Sequence, residues 1–248
     1  MTKGFVIVAS KKRFFYVSAI NLIGSIKDFY PDANVTLFTE TRFLDGQESI
    51  ADIVEVVDNH SRAKIDGMAR STYDLTLYID ADCEVEHEDI VNVWDEIKDY
   101  DMVFTGLPEE RHYCYAEVYF PGATKPDGSE AGFELCGGIC LYRSGKPIIK
   151  EFMRDWYDLT KAQYAGRWWP LDENNKPDYK NYPESFRRWD QFSLWWLTNR
   201  EPKYKDLKVG IFEDDARWNF YNGYLYKHNK NPVVIRHYSN VQAKKETY

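Results

Sequence analysis

Through roughly its first hundred residues the chain alternates short β-prone runs with segments of helical periodicity. That rhythm restricts it to an α/β class with a mostly parallel sheet covered by helices. Gly4 to Ala9 (GFVIVA) is an apolar run that reads as a buried first strand. Lys12 to Phe29 then places Phe15, Ala19, Leu22, Ile23 and Ile26 on one helical face, and Pro31-Asp32 closes that helix. Asn34 to Thr39 and Ile53 to Val57 supply two more strands. Ser61 caps a helix to about Arg70, and Leu75 to Ile79 (LTLYI) is a strongly β-prone run. A helix over Glu88 to Lys98 and a strand over Met102 to Thr105 complete this half.

The second half is less regular. Leu107 to Phe133 holds Pro121, Gly122, Pro126, Gly128 and Gly132 among many aromatics and reads as a long loop or hairpin insertion. Leu135 to Tyr142 returns to strand character, and Pro147 opens a helix with Ile148, Ile149, Phe152, Met153 and Trp156 on one face. A polar loop spans Gly166 to Pro183, and an aromatic helix begins near Arg188 with Phe192, Trp195 and Trp196 as its buried stripe. Val209 to Phe212 and Val233 to Arg236 are short strands. No repeat or linker divides the 248 residues, so a single domain is expected.

Net charge is −8, which argues against gripping nucleic acid through overall charge. There is no signal-peptide pattern and no apolar stretch of membrane-spanning length, and the expectation is a cytoplasmic protein. Cys83, Cys114, Cys136 and Cys140 lack zinc-ligand spacing and read as reduced, buried small hydrophobes. Aromatic residues make up 17%, which suits either sugar faces or core packing.

The most informative segment is Tyr78-Ile79-Asp80-Ala81-Asp82. A β-prone run leads directly into two carboxylates at i and i+2, which fall on one face of extended chain. They stand at the C-terminal end of a parallel strand, where open α/β sheets bind ligands. Two ionised carboxylates 4 Å apart repel by about 4 kcal/mol near a protein surface. A divalent cation reverses that sign, and oxygen ligands favour Mg²⁺ or Mn²⁺ shared with substrate phosphates. The competing reading is a solvated acidic turn ahead of Glu88; the buried strand and the small Ala81 favour the metal.

With these residues in view, the sequence resembles the glycogenin and galactinol synthase-like transferases of the GT-A fold, through scattered motifs over most of the chain. The segment KIDGMARSTYDLTLYIDAD carries Lys64 sixteen residues before Asp80, the spacing of the family's donor-binding Lys. Ala9 and Ser10 lie where the family contacts uracil through its backbone, and Tyr16 where an aromatic covers the base; helix packing is the equal alternative for Tyr16. Leu135-Cys136-Gly137-Gly138-Ile139 is similar to the family's Asn-Ser-Gly strand, with Cys136 and Gly137 replacing the Asn and Ser that contact the donor sugar. Asp190-Gln191 resembles the Asp-Gln pair beside the anomeric carbon, and Trp218-Asn219 a Trp-Asn pair before the last strand. His237 stands where the family places its third metal ligand. Where the family continues with Gly and Lys, this sequence departs from it, with Asn240 in place of the Gly and Lys244 one position late.

The resemblance implies one Rossmann-like GT-A domain, with a nucleotide-binding half over 1–106, an acceptor-side half over 107–240 and a tail over 241–248. It implies metal ligation by Asp80, Asp82 and His237, and donor contacts from Ala9, Ser10, Tyr16, Lys64, Asp80, Ala81, Asp82, Gly137, Gly138 and Lys244. Asp190 and Gln191 are the catalytic candidates. The cofactor is Mn²⁺ or Mg²⁺, the donor a UDP-sugar or another nucleotide-diphosphate sugar, and the anomeric configuration is retained. The acceptor is left open among a glycan, a protein, a lipid-linked sugar and a modified nucleobase. The aromatic segments Tyr113 to Phe120 and Trp168-Trp169-Pro170 are candidate acceptor surfaces. Two alternatives stand beside this reading. One is an inactive sugar-binding module of the same fold, suggested by the substituted Asn-Ser positions. The other is a phage-type transferase acting on DNA bases. A sugar nucleotidyltransferase is disfavoured, because Ser10-Lys11-Lys12-Arg13 has no glycine after the first strand.

Overall fold

The computed structural model describes residues 1–60, 62–106, 135–221 and 231–238. The expected insertion over 107–133, the cap at Ser61, Asn240, Lys244 and the tail therefore lie outside the described residues.

The first half follows the expected alternation. Strand β1 (Lys3–Ala9), β2 (Val35–Thr39), β3 (Ile53–Val56) and β4 (Leu75–Asp80) are joined by helix α1 (Arg13–Phe29) and the shorter α2 (Ala63–Ala69). After β4 the chain makes a short β5 (Cys83–Val85), which the sequence reading does not anticipate. The Glu88–Ile97 segment coils as 3₁₀ helix rather than α-helix. The second half supplies β6 (Met102–Gly106), β7 (Leu135–Tyr142), α3 (Pro147–Tyr164), α4 (Asp190–Asn199), β8 (Val209–Ile211), α5 (Asp215–Trp218), β9 (Phe220–Tyr221) and β10 (Ile235–His237).

The main sheet has seven strands in the order β3-β2-β1-β4-β7-β6-β8, with β7 running against its neighbours and the other pairs parallel. A second sheet of three strands has the order β5-β10-β9. In it β10 lies antiparallel to β5, with His237 opposite Cys83.

Central strands covered on both faces read as unbroken apolar runs. In β1 and β4 every residue from Gly4 to Ala9 and from Leu75 to Ile79 is buried. One core cluster lies on the α1 side, around Phe5, Ile7, Leu22, Ile23, Leu77 and Ile79. The other lies under α2 and α3, around Val6, Phe38, Tyr78, Phe104, Phe152 and Trp156. Gly67 brings α2 close to the sheet, since a Cβ there would stand 2.5 Å from Val8 Cγ2. That closeness fixes how far the side chains at the start of α2 reach over β1 and β4.

The tryptophan loop turns inward. Trp169, Phe186, Phe192 and Trp195 form a third cluster with Trp168, Tyr182 and Trp196 packed on it, and Pro170 is buried. The expected acceptor surface at Trp168-Trp169-Pro170 is thus mostly a satellite core, because stacking against α4 buries more apolar area than facing water would.

Candidate functional site

A cleft of about 160 Å³ opens at the C-terminal ends of β1 and β4. Open α/β sheets bind ligands at such strand ends. Val8 and Ser10 come from the end of β1, Tyr78, Asp80, Ala81 and Asp82 from the end of β4 and the turn after it, Lys11 and Phe15 from the entry to α1, and Arg62 and Lys64 from the start of α2.

Asp80 ends, and Asp82 follows, a strand anchored on both sides, by β1 and by β7. Tyr78 donates its hydroxyl proton to Asp80 Oδ1, and Lys64 Nζ lies 3.4 Å from the same oxygen. Burial pushes the Asp80 carboxyl above the usual carboxylate range. Lys64 opposes that shift without cancelling it, and the neighbouring Asp82 adds to it. Asp82 Oδ1 lies 3.4 Å from His237 Nε2.

His237 is oriented from behind. Its Nδ1 is 2.9 Å from Asn219 Oδ1, while Asn219 Nδ2 donates to Thr105 Oγ1 at 3.0 Å and to Cys136 Sγ at 3.7 Å. With the amide placed that way, Nδ1 donates to Asn219 and Nε2 points at Asp82 Oδ1. Ligating histidines characteristically donate their other ring N–H to such a partner.

Gly138 completes the enclosure. A Cβ at this position of β7 would stand 3.0 Å from both Asp80 Oδ2 and His237 Cε1. The donor set of carboxylate oxygens and imidazole nitrogen, with a side-chain-free wall beside it, fits a divalent cation.

A second charged cluster adjoins the first. Asp190 opens α4 and is 1% exposed, with Arg62 Nε 3.2 Å from Oδ1 and Lys64 Nζ 3.5 Å from Oδ2. Burial alone would raise the Asp190 pKa; Lys64 and then Arg62 outweigh it, and the net shift is downward. Burial likewise works against the Lys64 cation, but Asp80 and Asp190 reverse that and raise its pKa. Lys64 also donates to the Gly137 carbonyl at 3.0 Å. One lysine therefore ties together the ends of β4 and β7 and the start of α4.

Of the two readings of Tyr16, the structure has helix packing: the ring is fully buried in the α1 core, with its hydroxyl 2.8 Å from Asp45 Oδ1 and 2.7 Å from Glu48 Oε2. The ring on the cleft wall is Phe15, expected in the core. Ala9 lies behind the wall, buried, with its carbonyl accepting from Thr39 Oγ1. Ser10 and Ala81 line the cleft as expected; Gln191 is half-buried beside Asp190.

Arg62, Lys11 and Asn219 carry parts the sequence reading did not assign. Arg62 is a second cation two residues before Lys64, a spacing visible in the sequence. Lys11 holds a left-handed backbone (φ 70°), with its N–H donated to the buried Glu40 carboxylate. A non-glycine residue in that region is strained, and such strain concentrates at ligand sites.

Solved structures share this fold. The galactosyltransferase LgtC, in complex with donor and acceptor sugar analogs, matches with a TM-score of 0.54 at 15% identity, over 95% of this chain and 86% of that one. An active-site mutant of LgtC matches at 14% identity with the same TM-score and coverage. The glycosyltransferase GlyE of Streptococcus pneumoniae TIGR4 matches with a TM-score of 0.50 at 15% identity, over 96% of this chain and 55% of that one. No protein-family model and no curated protein matches the sequence. At this identity the likeness defines the fold, and the fold is of the GT-A type. Among the described residues no helix is long and apolar enough to cross a membrane.

Proposed function

We propose that this chain is a metal-dependent glycosyltransferase that takes a hexose or pentose from a UDP-sugar and retains the anomeric configuration. The observation that carries the reading is that Asp80 and Asp82 line the cleft, with His237 Nε2 3.4 Å from Asp82 Oδ1, its other ring nitrogen held by Asn219, and Gly138 beside them. The same constellation stands in a fold shared with LgtC and GlyE, whose names describe glycosyl transfer.

Asp80, Asp82 and His237 would hold Mn²⁺ or Mg²⁺. When bound, the ion supplies Lewis-acid stabilisation of the departing nucleotide diphosphate. Lys64, Arg62 and Lys11 set side-chain cations around the cleft where diphosphate charge develops. Ser10 and Phe15 offer a hydroxyl and a ring for the base. Asp190 would flank the sugar as a carboxylate kept ionised by Lys64 and Arg62, oriented to stabilise positive charge at the anomeric carbon, with Gln191 beside it. Residues 1–106 would bind the nucleotide and 107–240 the acceptor.

The test is a screen of nucleotide sugars with and without Mn²⁺, read as thermal stabilisation and as slow donor hydrolysis. Stabilisation by a UDP-sugar together with hydrolysis is expected. Binding without hydrolysis would leave a sugar-binding module, and no binding by any nucleotide sugar would end the transferase reading.

A further inference from the structure

The metal donors extend past the carboxylates. Because β5 pairs antiparallel with β10, Cys83 sits directly opposite His237. Residues opposed in this way project to the same face with Cβ atoms ~4.5–5.5 Å apart. Cys83 is a free, buried thiol, and an Asp82 oxygen, the Cys83 sulfur and a His237 nitrogen all lie within 4.8 Å of one another.

We propose that Cys83 is a metal ligand in this chain, and that Asp82, Cys83 and His237 form a mixed oxygen, sulfur and nitrogen site for a thiophilic tetrahedral cation such as Zn²⁺. This rests on reading the same cleft as a metal site. A tetrahedral ion with bonds of ~2.0–2.2 Å to nitrogen and oxygen holds those two atoms ~3.3 Å apart. The 3.4 Å between Asp82 Oδ1 and His237 Nε2 already matches that edge. As the sulfur–metal bond forms, the Cys83 thiol loses its proton to solvent and the thiolate electron pair goes to the cation. Three protein ligands leave the fourth position for water or a phosphate oxygen.

The consequence is a site with two grades of occupant. Hard Mn²⁺ or Mg²⁺ uses the oxygens and imidazole. Zn²⁺ lies higher in the general affinity order and gains the thiolate as well. Zinc should therefore displace manganese, and loss of the thiol should shrink that advantage. Cys83 carries no zinc spacing in sequence; the sheet pairing brings it to His237 across 154 positions, the difference between 237 and 83.

The experiment is cobalt substitution of the intact protein. Wild type titrated with Co²⁺ is expected to show an intense near-ultraviolet thiolate-to-cobalt band with visible bands of tetrahedral strength. Cys83→Ser should still bind Co²⁺ but lose the thiolate band, while Cys140→Ser should keep it. Cobalt bound by wild type without that band, or a band that survives in Cys83→Ser, overturns the proposal and leaves the oxygen and imidazole site intact. No cobalt binding would overturn both it and the metal role proposed for the cleft.

Discussion

Asn219 Oδ1 stands 2.9 Å from His237 Nδ1, and the contact turns Nε2 toward Asp82 Oδ1, 3.4 Å away. Asn219→Ala removes the acceptor and leaves Thr105 without its amide donor. Metal affinity should fall by about 10- to 100-fold, the usual cost of losing such a partner. Asn219→Asp keeps an acceptor at Nδ1 and should recover most of the affinity. Titration followed by electron spin resonance of free Mn²⁺ measures both.

Gly138→Ala places a methyl group 3.0 Å from Asp80 Oδ2 and His237 Cε1. Both atoms are side-chain ends that can move, so the fold should survive. The expected outcome is loss of Mn²⁺ binding with the melting temperature of the metal-free protein near wild type.

Phe15 and Tyr16 should separate cleanly. Phe15→Ala removes a ring from the cleft wall and should weaken nucleotide binding with little change in stability. Tyr16→Phe deletes a hydroxyl held by Asp45 and Glu48, and hydrogen bonds to charged groups contribute about 1.5–3 kcal/mol. It should lower the melting temperature and leave nucleotide affinity unchanged. Calorimetry of UDP binding alongside thermal melts checks the pair.

Asp190 links the site to stability. Asp190→Asn leaves Lys64 and Arg62 short of a buried partner, and breaking such a pair costs about 3–5 kcal/mol. The folded pKa of Asp190 is depressed, so its contribution is full above the ordinary carboxylate pKa of about 3.9. It is lost as pH falls through the lower folded value. Urea unfolding should show a large gap between wild type and variant at pH 7 that narrows on acidification below that ordinary value.

The strand-to-carboxylate step at Leu75 to Asp82 was readable because a buried parallel strand has one signature and its C-terminal end one location. The first turn of α1 was not. Ala19, Leu22, Ile23 and Ile26 are buried as the spacing predicts, but Phe15 and Tyr16 can both extend that face, and the Asp45 and Glu48 carboxylates that hold the Tyr16 hydroxyl put Tyr16 in the core. Long-range pairing was equally hidden. Cys83–Val85 is too short to announce a strand, yet it sets Cys83 against His237. Arg62 failed for a different reason. As a surface helix cation it is unremarked, and it gains its meaning from Asp190, which α4 carries in from far along the chain.

The central claim is that a cation between the aspartates and His237 holds the donor's diphosphate, and calorimetric titration of UDP tests it most directly. Wild type should bind UDP far more tightly with Mn²⁺ than with EDTA, and Asp82→Asn should bind it no better with Mn²⁺ than without. Equal UDP affinity for wild type in both conditions would contradict the account.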